Sequence, residues 1–184
     1  KSRIRQTGSM KIGIYGGSFN PIHFGHIGLA EWVVEHTDLD QIWLMVSPNN
    51  PLKDKSILAD ERERLEKAKE AIGKDGRRET NSGKQIVVSD FEFSLPRPTY
   101  TANTLRALHG AFPEDEFSLI IGEDNIAIFD KWREYQYILD HYRVLVYPRH
   151  NCAPYQLPAA KDLRILNGAP YFDISSTEIR KGLC

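Results

Sequence analysis

Cysteine is scarce in this chain: Cys152 and Cys184 are the two among 184 residues, far apart and without CxxC spacing. Their spacing offers nothing for metal or redox work and points to a reducing compartment, so a cytoplasmic location is expected. No apolar run approaches the roughly 20 residues of a membrane helix, and no signal-peptide h-region stands near the N-terminus. Charge of one sign is also absent. A formal net charge of −1 leaves no overall field to draw nucleic acid or an anionic membrane, so an anionic ligand must be met by local groups. Three signatures are missing as well. The glycines in and after the first apolar segment fall at 13, 16, 17, 25 and 28 rather than as GxGxxG, and neither GxxxxGK[ST] nor HExxH occurs. A nicotinamide-type dinucleotide turn, an ordinary P-loop and a zincin site are thereby demoted.

What is present is an ordinary globular composition, 41% hydrophobic and 27% charged. The opening KSRIRQTGSM reads as an expression remnant over residues 1–9, with Met10 as the natural start, and one domain is expected over 10–184. From there short apolar runs alternate with helical periodicity. KIGIYG, QIWLMVSP, IVVSDFEF, FSLIIG and YRVLVYP read as strands, and LRILNG as a sixth. HFGHIGLAEWVVEHT, ILADERERLEKAKEAIG, TANTLRALHGAF and FDKWREYQYILDH read as helices, and SSTEIRKGL as a short last one capped by Ser175 or Ser176. KDGRRETNSGKQ, polar and without period, reads as a surface loop. Strands alternating with helices of about 10–15 residues predict an α/β fold: a single Rossmann-like, doubly wound domain with a mainly parallel sheet and helices on both faces. Ligands of such sheets bind beyond the carboxyl ends of the strands, so the loops after strands are where chemistry is sought.

The first of those loops, GGSFNPIHFGH, carries more than a turn requires. Gly16 and Gly17 lack the Cβ atoms that block close backbone approach, and the following helix directs its N–H groups and positive dipole end to the same place. A tight turn alone would also explain paired glycines. His23 and His26 are three apart and share a helix face, with Gly25 between them. As a metal pair they lack further ligands, so no metal is assigned to protein side chains. Core or capping histidines remain an alternative, while donation to phosphate oxygens accounts for both at once.

GGSFNPIHFGH resembles the HxGH signature of the nucleotidylyltransferase superfamily, and ISSTEIR near the other end resembles its ISSTxIR motif. RPTYTANTL, IIGEDN and FDKW are similar to segments of the bacterial nicotinate-nucleotide adenylyltransferases within it, and the likeness runs from Met10 to Leu183. The resemblance implies that His23, His26 and Arg180 act on the ATP phosphates as the catalytic set. It implies that Gly16, Gly17, Ser18, Phe19, Gly122, Asp124, Ser176 and Thr177 complete the ATP site. Lys53, Thr101 and Trp132 are implied on the substrate side, the lysine at phosphate, the threonine at the carboxylate and the indole stacked on the pyridine ring. The chain departs from the pattern at Leu52, where a histidine is common, at Glu123, where alanine is usual, and at Tyr147-Pro148-Arg149 in place of Arg-Pro-Gly, so Arg149 is not assigned to adenine.

The implied reaction is adenylyl transfer from ATP, accompanied by Mg²⁺, to nicotinate mononucleotide, giving deamido-NAD and pyrophosphate in NAD biosynthesis. Related acceptors, nicotinamide mononucleotide or phosphopantetheine, are the alternative, and a non-catalytic nucleotide-binding module is a further one. No nucleic-acid or membrane partner is expected, and self-association is left open.

Overall fold

The computed structural model describes residues 9–49, 60–150 and 152–170. The expectations for Lys53, Ser176, Thr177, Arg180 and the final helix lie outside the described residues.

Seven strands form one sheet: β1 (Lys11–Gly17), β2 (Gln41–Val46), β3 (Arg77–Glu79), β4 (Gln85–Ser89), β5 (Glu116–Gly122), β6 (Arg143–Tyr147) and β7 (Leu163–Ile165). The order is β3-β4-β2-β1-β5-β6-β7, parallel throughout except for the antiparallel β3–β4 pair. Without β3 the remaining strands wind outward from β1 in both directions, which is the doubly wound arrangement expected. The switch point lies between β1 and β5. It is where a crevice opens, because the connections from these two strands leave toward opposite sides.

Both faces of the sheet are covered, and each strand divides its side chains between them with a period of two. Tyr15, Ile42, Leu44, Val46, Ile86, Val88, Ile120 and Leu145 pack against α1 (Phe24–His36) and α2 (Glu61–Ile72) through Val33, Val34, Leu65 and Ala68. Ile12, Ile14, Met45, Leu119, Ile121, Val144 and Val146 pack on the other face against α3 (Thr101–Ala111) and α5 (Tyr135–His141), through Leu105, Leu108, Ile138 and Leu139. The short α4 (Glu123–Ile126) follows β5 directly.

Three segments differ from the sequence expectation. KDGRRETNSGKQ is not a bare loop: it contains β3 and a tight turn in which the Thr80 N–H donates to the Lys84 carbonyl and the Lys84 N–H donates to Thr80 Oγ1. Two cations pin it. Arg78 donates to the carbonyls of Ile72 and Ala71 at the end of α2, and Lys84 Nζ donates to those of Val34 and Thr37 at the end of α1, both at 2.9 Å. Positive charge at two helix C-termini favours this placement. The strand expected through Phe93 stops at Ser89, whose hydroxyl accepts from the Phe91 N–H and turns the chain into a 3-10 segment over Phe91–Ser94. The helix expected over 129–141 is interrupted, with a 3-10 turn at Phe129–Lys131 and α5 beginning only at Tyr135. Arg106 of α3 grips Glu134 with two bonds, at 3.0 and 2.6 Å, and holds it at φ 54, outside any helix.

If Lys84 ties the hairpin to α1, Lys84→Ala lowers unfolding free energy by about 1–2 kcal/mol in urea titration. An unchanged midpoint and slope would show that the two bonds do not anchor the segment.

Candidate active site

The last two residues of β1, Gly16 and Gly17, pair with Met45 and Val46 of β2 and end at the switch point. Neither has a positive φ, so the backbone here does not demand glycine. Nor does packing: a Cβ at Gly16 would come no nearer than 4.0 Å to a described atom, and one at Gly17 would touch only the Phe19 ring at 3.4 Å. Among the described residues, the space beside these two glycines is therefore left open by their missing side chains. Gly122, at the end of β5, is different. A Cβ there would fall 2.5 Å from Asp124 Oδ1 and 3.1 Å from the Tyr147 ring, so glycine is what lets this carboxylate and this phenol approach the strand end together.

Beyond Gly17 the chain turns through Ser18, which is exposed, and Phe19, which is buried at φ 47. A left-handed non-glycine residue costs about 1–3 kcal/mol. Burial of the phenylalanine ring, worth about 1.5–3 kcal/mol, offsets it. The ring lies edge-on to Tyr15 at 5.7 Å and to His26 at 5.0 Å, so Phe19 can offer a ligand its backbone but not its side chain.

His23 and His26 form a reciprocal cap on α1. His23 Nδ1 accepts the Gly25 N–H at 3.0 Å, and His26 Nδ1 accepts the His23 N–H at 3.1 Å. The helix-end amides expected to meet an anion are thus partly taken up by the histidines themselves. In exchange, the two rings are held in place, and a neutral His26 carries its proton on Nε2. The rings stack with centroids 3.7 Å apart. Burial against Tyr15 and Phe19 lowers the His26 pKa from 6.5 to about 3, with smaller contributions from the charges of His23 and Arg149. His26 is consequently a neutral donor at physiological pH. A bound anion would find a dipole already aimed and no competing proton equilibrium.

Arg149, which follows β6, has its Nε 3.8 Å from Asp124 Oδ1. The structure therefore brings an unassigned cation to the rim shared by Gly122, Asp124 and His26. Tyr15 and Tyr147 line the floor, with ring centroids 5.9 Å apart and both phenols raised in pKa chiefly by burial.

The two described residues that the sequence places on the substrate side as an expectation sit at a second locus. Thr101 opens α3, and Trp132, half-buried, rests on Phe129 at 4.8 Å. Their neighbours touch, since the Arg133 guanidinium lies 4.6 Å above the Tyr100 ring. Thr101 and Trp132 therefore stand on adjoining segments beyond β4 and β5. Close by in sequence, Glu92 is buried with Oε2 unpartnered among the described residues, and burial pushes its carboxyl up to about 7. No group of three or more His, Cys, Asp or Glu side chains among the described residues could hold a metal ion.

One residue that sequence reasoning passed over is Arg64 of α2. It is 2% exposed and reaches Ser18 of the first loop and Asn49 of the second. Its signal was a charge on the apolar stripe of Leu65, Ala68 and Ile72, which a count of periodic hydrophobic residues passes by.

Residues 14–182 match the profile of the cytidylyltransferase-like family. The "Probable nicotinate-nucleotide adenylyltransferase" of Flavobacterium johnsoniae is 44% identical over 95% of this chain and 86% of that protein. The one of Bacteroides thetaiotaomicron is 41% identical over 98% of this chain and 85% of its own length. In fold, the chain superposes on Plasmodium falciparum nicotinic acid mononucleotide adenylyltransferase, solved in complex with NaAD, with a TM-score of 0.74 at 22% identity, over 94% of this chain and 83% of that one. The chain belongs to the cytidylyltransferase-like family and, within it, to the nicotinate-nucleotide adenylyltransferases. No helix among the described residues is long and apolar enough to cross a membrane.

The open space at Gly16 yields a test that separates fold from ligand binding. Gly16→Ala keeps or slightly raises thermal stability, because alanine narrows the unfolded ensemble, by about 0.4–1 kcal/mol where it fits. The same change lowers ATP affinity at least tenfold by calorimetry. Unaltered affinity would mean the glycine pair serves only the turn.

Proposed function

We propose that the chain transfers the adenylyl group of Mg-ATP to nicotinate mononucleotide, with the β1–α1 turn as the phosphate cradle and the Thr101–Trp132 locus as the pyridine site. The 5′-phosphate oxygen of the mononucleotide attacks the α-phosphorus in line. The new P–O bond joins the two nucleotides as the bond to the β-phosphate breaks, and pyrophosphate leaves with that electron pair. No protein nucleophile is required, so catalysis consists of positioning two anions and stabilising charge that grows on the transferring and leaving groups.

The observation that carries this reading is the capped imidazole pair. Both Nδ1 atoms accept backbone N–H groups, which holds the two rings in place, and neutral His26 presents its Nε2–H beside two glycines that leave room for an anion. Donors held in place before the reaction cost no reorganisation when charge develops. Asp124 and Gly122 flank the nucleotide from the end of β5. Lys53, Ser176, Thr177 and Arg180 enter as phosphate contacts on the strength of their motifs alone. Magnesium would enter with ATP as part of the substrate, where it would offset phosphate charge. On the substrate side, Thr101 at the first turn of α3 suits the carboxylate, since the positive end of a helix favours an anion there. Trp132, resting on Phe129, presents a ring for stacking. The scarcity of cysteine agrees with reaction in the cytoplasm.

Steady-state comparison of nicotinate and nicotinamide mononucleotides with Mg-ATP tests the acceptor. The acid is expected to be used at least tenfold more efficiently, and His26→Ala to lower kcat by about 10²–10³, the usual loss on removing one such donor. Equal efficiency, or turnover only with phosphopantetheine, would overturn the acceptor assignment. A wild-type chain that binds ATP but releases no pyrophosphate would be a nucleotide-binding module instead.

A further inference from the structure

Arg64 is the largest fully buried side chain among the described residues and lies at the N-terminal end of the buried face of α2, beside Leu65, Ala68 and Ile72. Stability does not explain it. A buried cation loses its hydration, and burial indeed lowers the pKa of this arginine, opposed by the charges of Glu61 and Asp60. Apolar residues of similar volume commonly replace such groups with no loss of stability. What arginine supplies and leucine or methionine could not is a planar fork of donors. One arm, NH1, donates to the main-chain carbonyl of Ser18 at 2.5 Å, and the other, NH2, to Asn49 Oδ1 at 2.9 Å. Ser18 belongs to the turn after β1 and Asn49 to the loop after β2, so one rigid group sets the spacing of two loops at the carboxyl edge of the sheet. Glu61, one helical turn earlier, accepts from the Asn49 N–H at 3.4 Å and from Arg97, in the loop after β4, at 2.8 Å. The first turn of α2 thereby grips three ligand loops, and Arg64 is its link to the loop that carries the histidines.

We propose that Arg64 is a positioning residue for adenylyl transfer: by holding the Ser18 carbonyl against Asn49 it fixes the Gly16–His26 turn in the conformation from which His23 and His26 meet the phosphates. This rests on the reading of that turn as the phosphate cradle. Arg64 touches no reacting atom and acts through Ser18 and the turn beyond it.

The test compares Arg64→Met and Arg64→Lys with Leu65→Ala, a neighbouring core truncation, and with His26→Ala. All are measured at a temperature where circular dichroism shows each to be folded. Affinity for a non-reacting α,β-methylene analogue of ATP is read by calorimetry, and kcat and both KM values by pyrophosphate release. Arg64→Met weakens the analogue at least tenfold and raises the KM for ATP in step, while the KM for nicotinate mononucleotide stays within twofold. Arg64→Lys, which keeps the charge and loses the fork, falls between Met and wild type. Leu65→Ala, less stable, binds the analogue as wild type does. Wild-type affinity in Arg64→Met, or an equal loss in Leu65→Ala, overturns the proposal. If His26→Ala alone is impaired, the cradle stands and only the role of Arg64 falls; if neither is impaired, the cradle falls with it. Should Arg64→Met not fold, Arg64→Lys and Asn49→Ala carry the test, and wild-type affinity in both is the contradicting result.

Discussion

At the start of α1 each of two imidazoles accepts a backbone N–H through Nδ1, and the geometry of the site depends on this reciprocal cap. It ends the turn from β1, begins the helix and settles which ring nitrogen of neutral His26 bears the proton. A serine or aspartate cap would satisfy the same amides. It would not leave a second, outward donor on the far side of a rigid ring. On the proposed reading of the site, the cap joins a folding task to a chemical one, and exchange for better helix formers would lose the second.

Other features make sense as support for that cap. Phe19 takes an unfavourable backbone conformation so that its ring can cover His26, and Tyr15 closes another side. The resulting dryness keeps His26 neutral, and a low local dielectric strengthens any hydrogen bond it makes. Arg149 adds a positive charge near the same rim, which both opposes protonation of His26 and favours an incoming anion. Arg64 works from beneath, through the Ser18 carbonyl. Gly122, by contrast, acts through what it lacks, admitting Asp124 and Tyr147 to the mouth of the crevice.

Much of this was legible in the residues. Alternating apolar segments gave the strand and helix order, because parallel strands buried on both faces leave continuous hydrophobic runs, and the doubly wound order follows from that alternation. Gly16, Gly17, His23 and His26 stood out because their spacing exceeded what a turn needs, and the structure brings them to one place. What stayed hidden was tertiary in origin. The break at Glu134 depends on Arg106, almost thirty positions away. The β3 hairpin is held by helix ends that no local pattern reveals, and Arg64 looked like one charge among many in ERERLEKAKEAI. The anion-binding amides expected at the head of α1 proved to be partly occupied by the histidines, because a side chain two or three residues away competes with any ligand for the same N–H. The expectations for Lys53, Ser176, Thr177 and Arg180 lie outside the described residues.

The central claim, that His26 is a neutral, preset Nε2–H donor, is tested most directly by a pH titration of the ¹⁵N-labelled histidine rings of the unliganded protein. The account predicts an Nε2–H tautomer for His26 from neutral pH downward, with protonation only near pH 3, well below the ordinary 6.5. A midpoint near 6.5, or an Nδ1–H tautomer at neutral pH, would contradict it.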